Sequence, residues 1–184
     1  MDQFSFVLVL LTVIVGLGIT ELLGGVAGQI KFRKTVTHSW LHGLTAASIM
    51  VALFQQWWES WTLQSVETWS VGNILMLLSG PVFLYLISHL LYPAKLENVD
   101  LRNHYWDNSR AIWILGAITV TVATAFRPLS FSDDFFVLDN LSAFIFLPIF
   151  VLLAIFRSVP LHAILLPVMF VGLVADILFF HAEI

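Results

Sequence analysis

Six apolar runs, near residues 4–30, 39–58, 69–92, 111–126, 135–156 and 161–181, set the terms on which this 184-residue chain can fold. A helix needs about 20 apolar residues to cross the hydrocarbon of a bilayer, and each run approaches or exceeds that length. Six crossings consume most of the chain and leave short connections, with no room for a separate water-soluble catalytic domain. The composition agrees, with 59% hydrophobic residues, 11% charged residues and a mean hydropathy of +0.93, all outside the range of soluble domains. The expected fold is all-α: one domain, residues 1–184, an integral membrane bundle of six transmembrane helices whose first partner is the lipid bilayer. Function then has to sit among the helices or in their short loops.

An even number of crossings puts both termini on one side. Lys31, Arg33, Lys34, Lys95, Arg102, Arg110 and Arg157 all fall on the side of the first, third and fifth connections, and only Arg127 falls on the other. Basic residues mark the cytoplasmic side. Both termini are therefore expected outside, in the periplasm if the membrane is the bacterial inner one. Met1-Asp2-Gln3 carries an acid where a secretory signal carries bases, and the run that follows is too long for a cleavable core, so it reads as a retained first helix. Asp2, Glu59, Glu67, Asp133, Asp134, Asp139 and Glu183 gather on the outer side, while Glu97, Asp100 and Asp107 stay with the inner bases. These acids are either solvated loop charges or a field that concentrates cations at an entrance. Trp57, Trp58, Trp61 and Trp69 flank the second connection, as amphipathic rings do at headgroup level.

The third connection, from Pro93 to about Arg110, is the longest loop and is expected to lie partly on the cytoplasmic membrane surface. The chain has no cysteine, which excludes disulfides, thiolate metal sites and a cysteine nucleophile. There is no internal repeat and no glycine-rich phosphate loop, so no nucleotide is expected. A net charge of −4 with few bases argues against nucleic acid as a partner. The sequon at Asn140-Leu141-Ser142 sits in an apolar run and says nothing about glycosylation.

Gly16, Thr20, Gly24 and Gly28 recur every four residues along the first helix, a ridge of small side chains that lets another helix approach closely. Beside it Glu21 lies about 15 Å from Lys31 along the axis, near the bilayer midplane. A charge there costs roughly 2.5–3.5 kcal/mol on insertion scales, so the carboxyl must be neutral, paired or hydrated. It is either a neutral group hydrogen-bonded between helices or a proton or cation site. Asp176 follows Gly172 by one turn on the last helix, nearer the outer surface. It reads either as an acid wetted from outside or, if it shares a cavity with Glu21, as part of an acidic path to the membrane centre. On the second helix His38, His42, Thr45, Ala52 and Gln56 fall near one line about 27 Å long. Such a seam serves either as a hydrogen-bonded packing surface or as the wall of a hydrated pathway.

All but one of the six histidines (His38, His42, His89, His104 and His162) map to the inner half. The pair one turn apart can relay protons or chelate a metal, and His89, His104, Glu97 or Asp107 can complete a coordination sphere. Hydrogen bonding of neutral imidazoles to backbone or headgroups is the plainer account. No cofactor is expected, with a metal ion on His38, His42, His89 and His104, or a haem between His42 and His89, as alternatives. Tyr85, Ser88, His89 and Tyr92 share a face of the third helix and would build an inner polar chamber with His38 and His42. Gly80-Pro81, Pro148 and Pro167 interrupt the third, fifth and sixth helices, through packing kinks or gates.

The run Gly16-Leu-Gly-Ile-Thr-Glu21-Leu-Leu-Gly-Gly25, the later Phe54-Gln-Gln-Trp57-Trp58, and Tyr85 with the Tyr92-Pro93 helix exit resemble a group of small uncharacterised bacterial six-helix inner-membrane proteins. That resemblance implies a location and a topology but no activity. The hydropathy is similar to that of many six-helix channels and transporters, although no Thr-Val-Gly-Tyr-Gly filter or arginine-rich sensor occurs. Phe131-Ser132-Asp133 matches a short motif of a small potassium-channel family, but it precedes the fifth helix rather than lying in the first. The leading expectation is a cation- or proton-translocating membrane protein, a channel or small transporter and a homo-oligomer, with Glu21 as central carboxylate. The path candidates are Glu21, His38, His42, Thr45, Gln56, Tyr85, His89 and Asp176. A non-catalytic scaffold or accessory subunit is the alternative, and a membrane metalloenzyme using the inner histidines is the third.

Overall fold

The computed structural model describes residues 3–66, 68–131 and 141–180. Within them the protein is all-α. Six helices follow one another: α1 (Gln3–Lys31), α2 (Trp40–Glu59), α3 (Val71–Leu91), α4 (Leu101–Phe131), α5 (Leu141–Ile155) and α6 (Val159–Phe180). A short 3-10 helix, Ser60–Ser65, extends α2. No strand forms among the described residues beyond a single parallel bridge between Thr37 and Asp100. Asp2, Glu67, Asp133, Asp134, Asp139, Glu183 and His181, with Asn140 of the sequon and the first part of the expected fifth span, lie outside the described residues.

Four helices, α1, α3, α4 and α6, are long and apolar enough to cross a bilayer. α2 has 20 residues but spends several positions on His42, Gln55, Gln56 and Glu59. In α5 the described helix has 15 residues, fewer than the ~20 of a full crossing. Large apolar side chains such as Phe6, Val13, Leu23, Leu75, Ile164 and Phe179 point outward, as they do where the surrounding medium is hydrocarbon rather than water.

The largest departure from the expected element bounds is at α4. The residues up to Arg110, expected as a surface loop, are helical from Leu101 onward. Asp100 sets that start: its Oδ1 accepts from the backbone N–H of Arg102 at 2.8 Å and of Asn103 at 3.3 Å, and its Oδ2 accepts from the Asn103 side chain at 3.1 Å. A carboxylate in this position satisfies donors that have no partner inside the helix. The third connection therefore shrinks to the residues between Leu91 and Leu101. It is clipped to the first connection by Thr37 N–H on the Val99 carbonyl at 2.9 Å and Leu101 N–H on the Thr37 carbonyl at 3.0 Å. Asn98 turns the chain there with φ at 57°, a region that asparagine tolerates better than most residues. Val36, Leu96 and Leu101 bury a small apolar cluster beneath the clip. At its other end α4 continues through Pro128, beyond the expected span and past a proline not counted as internal to it.

Neighbours around the bundle run α1, α3, α4, α5, α6, α2 and back to α1, and α2 also reaches across to α3 and α4. α2, which is not among the helices apolar enough to cross a bilayer, is thus in contact with more of the other helices than any of them is. Leu41, His42, Thr45, Ala46, Ser48, Ile49 and Leu53 of α2 are all buried. The polar seam turns inward over this stretch, and its hydroxyls are satisfied locally, Thr45 donating to the Leu41 carbonyl at 2.8 Å and Ser48 to that of Leu44 at 2.9 Å.

α1 packs with a different set of small residues from the expected ridge. Gly18 lies against Leu53 of α2, Gly25 against the Tyr92 ring and Gly28 against Leu96. Among the described residues, nothing lies within 4 Å of where a Cβ would stand at Gly16 and Gly24. Thr20 is exposed and donates back to the Gly16 carbonyl at 2.7 Å. Of the ridge Gly16, Thr20, Gly24 and Gly28, only Gly28 packs against another segment among the described residues.

Candidate functional site

A cavity of about 390 Å3 lies among α2, α3, α4, α5 and α6. Its charged lining residues, Glu59, Arg127 and Asp176, lie at the end where α2, α4 and α6 finish, the end expected outside; that end is called its mouth below. Gln55 organises the mouth: its Nε2 donates to Glu59 Oε1 and to Asp176 Oδ2, each at 2.7 Å. One amide nitrogen thus draws together carboxylates from α2 and α6. Asp176 is 7% exposed, and Arg127 of α4 contributes the basic group to the same lining. Gln56, one position on, points at Gly80, where a Cβ would stand 3.0 Å from its Oε1. The glycine before Pro81 makes room for that amide.

Deeper, the lining becomes apolar and aromatic, through Leu77, Leu84, Phe146, Phe150 and Met169, with Ser48 and Thr119 as the polar exceptions. Trp113 forms the floor, fully buried and stacked on Phe150 with ring centroids 5.8 Å apart. Beneath it is a polar cluster with no access to water. Trp113 Nε1–H donates to the Tyr105 hydroxyl at 3.3 Å, which stands 2.6 Å from Nδ1 of His162. His162 Nε2 is 3.0 Å from the Phe156 carbonyl. Only an N–H can satisfy that carbonyl, so in the neutral ring Nδ1 is the acceptor and Tyr105 the donor. Tyr105 and His162 are fully buried.

The other expected residues divide into two groups. At the inner ends of α1, α2 and α3, His38 Nδ1 pairs with Gln29 Oε1 at 3.1 Å, and Gln29 Nε2 donates to the Tyr92 hydroxyl at 3.1 Å. The Tyr92 ring meets His42 edge-on at 4.8 Å. His42 Nε2–H donates to the Leu91 carbonyl at 2.8 Å, which leaves Nδ1 a buried acceptor without a hydrogen-bond partner among the described residues. Half of the expected inner chamber forms in this way.

Tyr85 and His89 face elsewhere. His89 Nδ1 lies 3.4 Å from Glu21 Oε1, with side chains 65% and 39% exposed, and the Tyr85 ring stacks on His89. Glu21 therefore sits on the α1–α3 seam and does not line the cavity that Asp176 lines. His104 Nε2 pairs with the Leu90 carbonyl at 3.1 Å. The histidines are distributed over separate partners. Among the described residues no three His, Asp or Glu side chains converge on a point where a metal ion could be held.

Sequence reasoning passed over Gln55, Tyr105 and Trp113 as site residues. Gln55 stands beside Gln56 but one position off the seam. Tyr105 was expected in a loop, although Asp100 followed by an apolar residue is a helix-start signal. Comparison with known proteins finds no matching family model, no matching curated protein and no matching solved structure.

Proposed function

We propose that this chain is a membrane-embedded translocator of cations or protons, crossing the bacterial inner membrane with six helices and keeping both ends outside. The observation that carries the reading is a cavity whose carboxylate-bearing part, Glu59 and Asp176 joined by Gln55, lies at the expected outer end and whose lining continues to the bundle centre. An intramembrane acid facing such a space belongs to a substrate or ion pathway by default. Asp176 takes the role of pathway carboxylate in this arrangement, with Gln56 and Thr119 farther along the wall. The stacked Trp113 and Phe150 rings close the floor, so passage requires them to move. Tyr105 and His162, immediately below, are groups through which a proton can pass toward the inner end.

Flux of protons and monovalent cations into proteoliposomes tests this. Asp176→Asn is expected to lower flux by about tenfold or more, the scale set by removing a charged partner, while Glu97→Gln on the inner connection leaves it unchanged. Flux that never exceeds that of empty liposomes at any pH overturns the proposal. Flux lost in Glu21→Gln but kept in Asp176→Asn moves the path to the α1–α3 seam.

Assembly without transport is a second reading, favoured by the openness of Gly16 and Gly24 on the outer face of α1. A ridge of that kind packs on a helix of another chain, most simply a second copy. Gly24→Leu is then expected to disperse a complex that crosslinking detects in native membranes.

A further inference from the structure

Between α4 and α5 an apolar groove of about 450 Å3 is lined by Ile114, Ala117 and Thr121 of α4 and by Val151, Ala154 and Ile155 of α5. Ile114, Thr121, Val151 and Ile155 are exposed, so the groove faces the surroundings of the bundle. The Thr121 hydroxyl is the polar side-chain group of this wall, and it donates to the Ala117 carbonyl at 2.8 Å. The groove therefore presents hydrocarbon and no free donor.

Toward the side expected inside, both helices bring an arginine to the end of the groove. Arg110 is one turn before Ile114 on α4, and Arg157 follows the last residue of α5 by two positions. Arg157 Nη2 donates to the Trp106 carbonyl at 2.5 Å, the carbonyl toward which the N–H of Arg110 points in an α-helix. The two arginines thus attend the same turn of α4. Both are exposed, and neither forms an ion pair among the described residues. Asp107, three positions before Arg110 and on the same face, is exposed as well and lies farther from the groove. From hydrocarbon toward the inner water the order is apolar groove, two arginines, one carboxylate.

We infer that the α4–α5 groove holds a phospholipid of the inner leaflet: an acyl chain along Ala117 and Ala154, the phosphate at Arg110 and Arg157, and a headgroup amine at Asp107, the pattern of phosphatidylethanolamine. The inference rests on the membrane reading of the fold and stands apart from translocation. An acyl chain gains little by exchanging other chains for a wall of isoleucine and valine, so selection falls to the headgroup. Guanidinium groups grip phosphate oxygens with paired, charge-assisted hydrogen bonds, and basic groups between helices at the inner boundary suit a phosphate at that depth. A glycerol headgroup would offer Asp107 hydroxyls but no opposite charge.

The test uses the full chain in neutral detergent micelles, mixed with dioleoylphosphatidylethanolamine, dioleoylphosphatidylglycerol or dioleoylglycerol, with bound lipid counted by native mass spectrometry. The ethanolamine lipid is expected to be retained most and the phosphate-free dioleoylglycerol least. Arg110→Gln, which breaks no side-chain contact among the described residues, should weaken retention of both phospholipids about fivefold, the equivalent of one arginine near a lipid surface. Asp107→Asn should move the preference toward phosphatidylglycerol, and Thr121→Trp, filling the groove from an exposed position, should lower retention of all three lipids. Equal retention of dioleoylglycerol and the phospholipids overturns the inference, as does retention unchanged in Arg110→Gln and Thr121→Trp while each keeps a cooperative thermal transition. A preference for phosphatidylglycerol that Asp107→Asn leaves unmoved overturns it too. A dimer that Thr121→Trp splits, with bound lipid unchanged, gives the groove to a second copy of the chain instead.

Discussion

Tyr105 shows what a single side chain decides here. Its hydroxyl joins α4 to α6 by lying 2.6 Å from His162 Nδ1, and it accepts from Trp113 on its own helix. Tyr105→Phe removes the donor to a buried ring nitrogen and the acceptor of a buried indole N–H at once. Leaving such groups unsatisfied costs about 1–3 kcal/mol, to be read as a lowered midpoint in thermal or denaturant unfolding of the purified protein. An unchanged midpoint would mean that water enters the cluster and substitutes for the hydroxyl. His42 is the opposite case, since its Nδ1 already lacks a partner among the described residues. The ring is held instead by the Leu91 carbonyl and the edge of Tyr92.

Among the elements, α1 and α4 make the contrast between pattern and packing testable. Gly24 and Gly25 are adjacent in sequence and face different surroundings, open space for one and the Tyr92 ring for the other. Gly24→Ala should be neutral or stabilise by about 0.5–1 kcal/mol through helix propensity. Gly25→Ala forces Tyr92 aside, with its hydrogen bond from Gln29 and its contact with His42, and should destabilise by about 1–3 kcal/mol. Parallel unfolding curves of the two variants decide the matter, and equal effects would contradict this packing of α1 on Tyr92. For α4, Asp100→Ala deletes the acceptor of two backbone N–H groups at a cost of about 0.5–2 kcal/mol. Faster amide hydrogen exchange across 101–104 is the local sign to look for. The period of small residues marked a ridge on α1, but a helix has several such lines, and only the neighbours determine which one is pressed against another chain segment.

For the whole molecule, the position of α2, between α1 and α6 in the ring and also touching α3 and α4, is what shapes the cavity. Wedged against α1, α3, α4 and α6, it brings Gln55 and Gln56 to face the acid of α6 and the glycine of α3. Because the chain has no cysteine of its own, single cysteines report access without background. Gln56→Cys and Thr119→Cys should react with a membrane-impermeant thiol reagent added from outside, and Ser88→Cys, fully buried away from the cavity, should not. Reaction of the first two only from the inner side would reverse the proposed orientation. No reaction at either would close the cavity to water.

The all-α class, the apolar helices and the uneven placement of basic residues are consequences of composition and order along the chain, because hydrocarbon compatibility is a property of each segment on its own. Asp176 could be singled out for the same reason, as an ionisable group in an apolar run. That it shares Gln55 with Glu59, while Glu21 pairs with His89 on another surface, depends on which helices become neighbours and how each is rotated. So does the Tyr105–His162 contact, made by residues 57 positions apart. Rotation and neighbourhood are set by the fit of side chains from several helices at once, a sum over distant partners that no single segment encodes and only the folded bundle resolves.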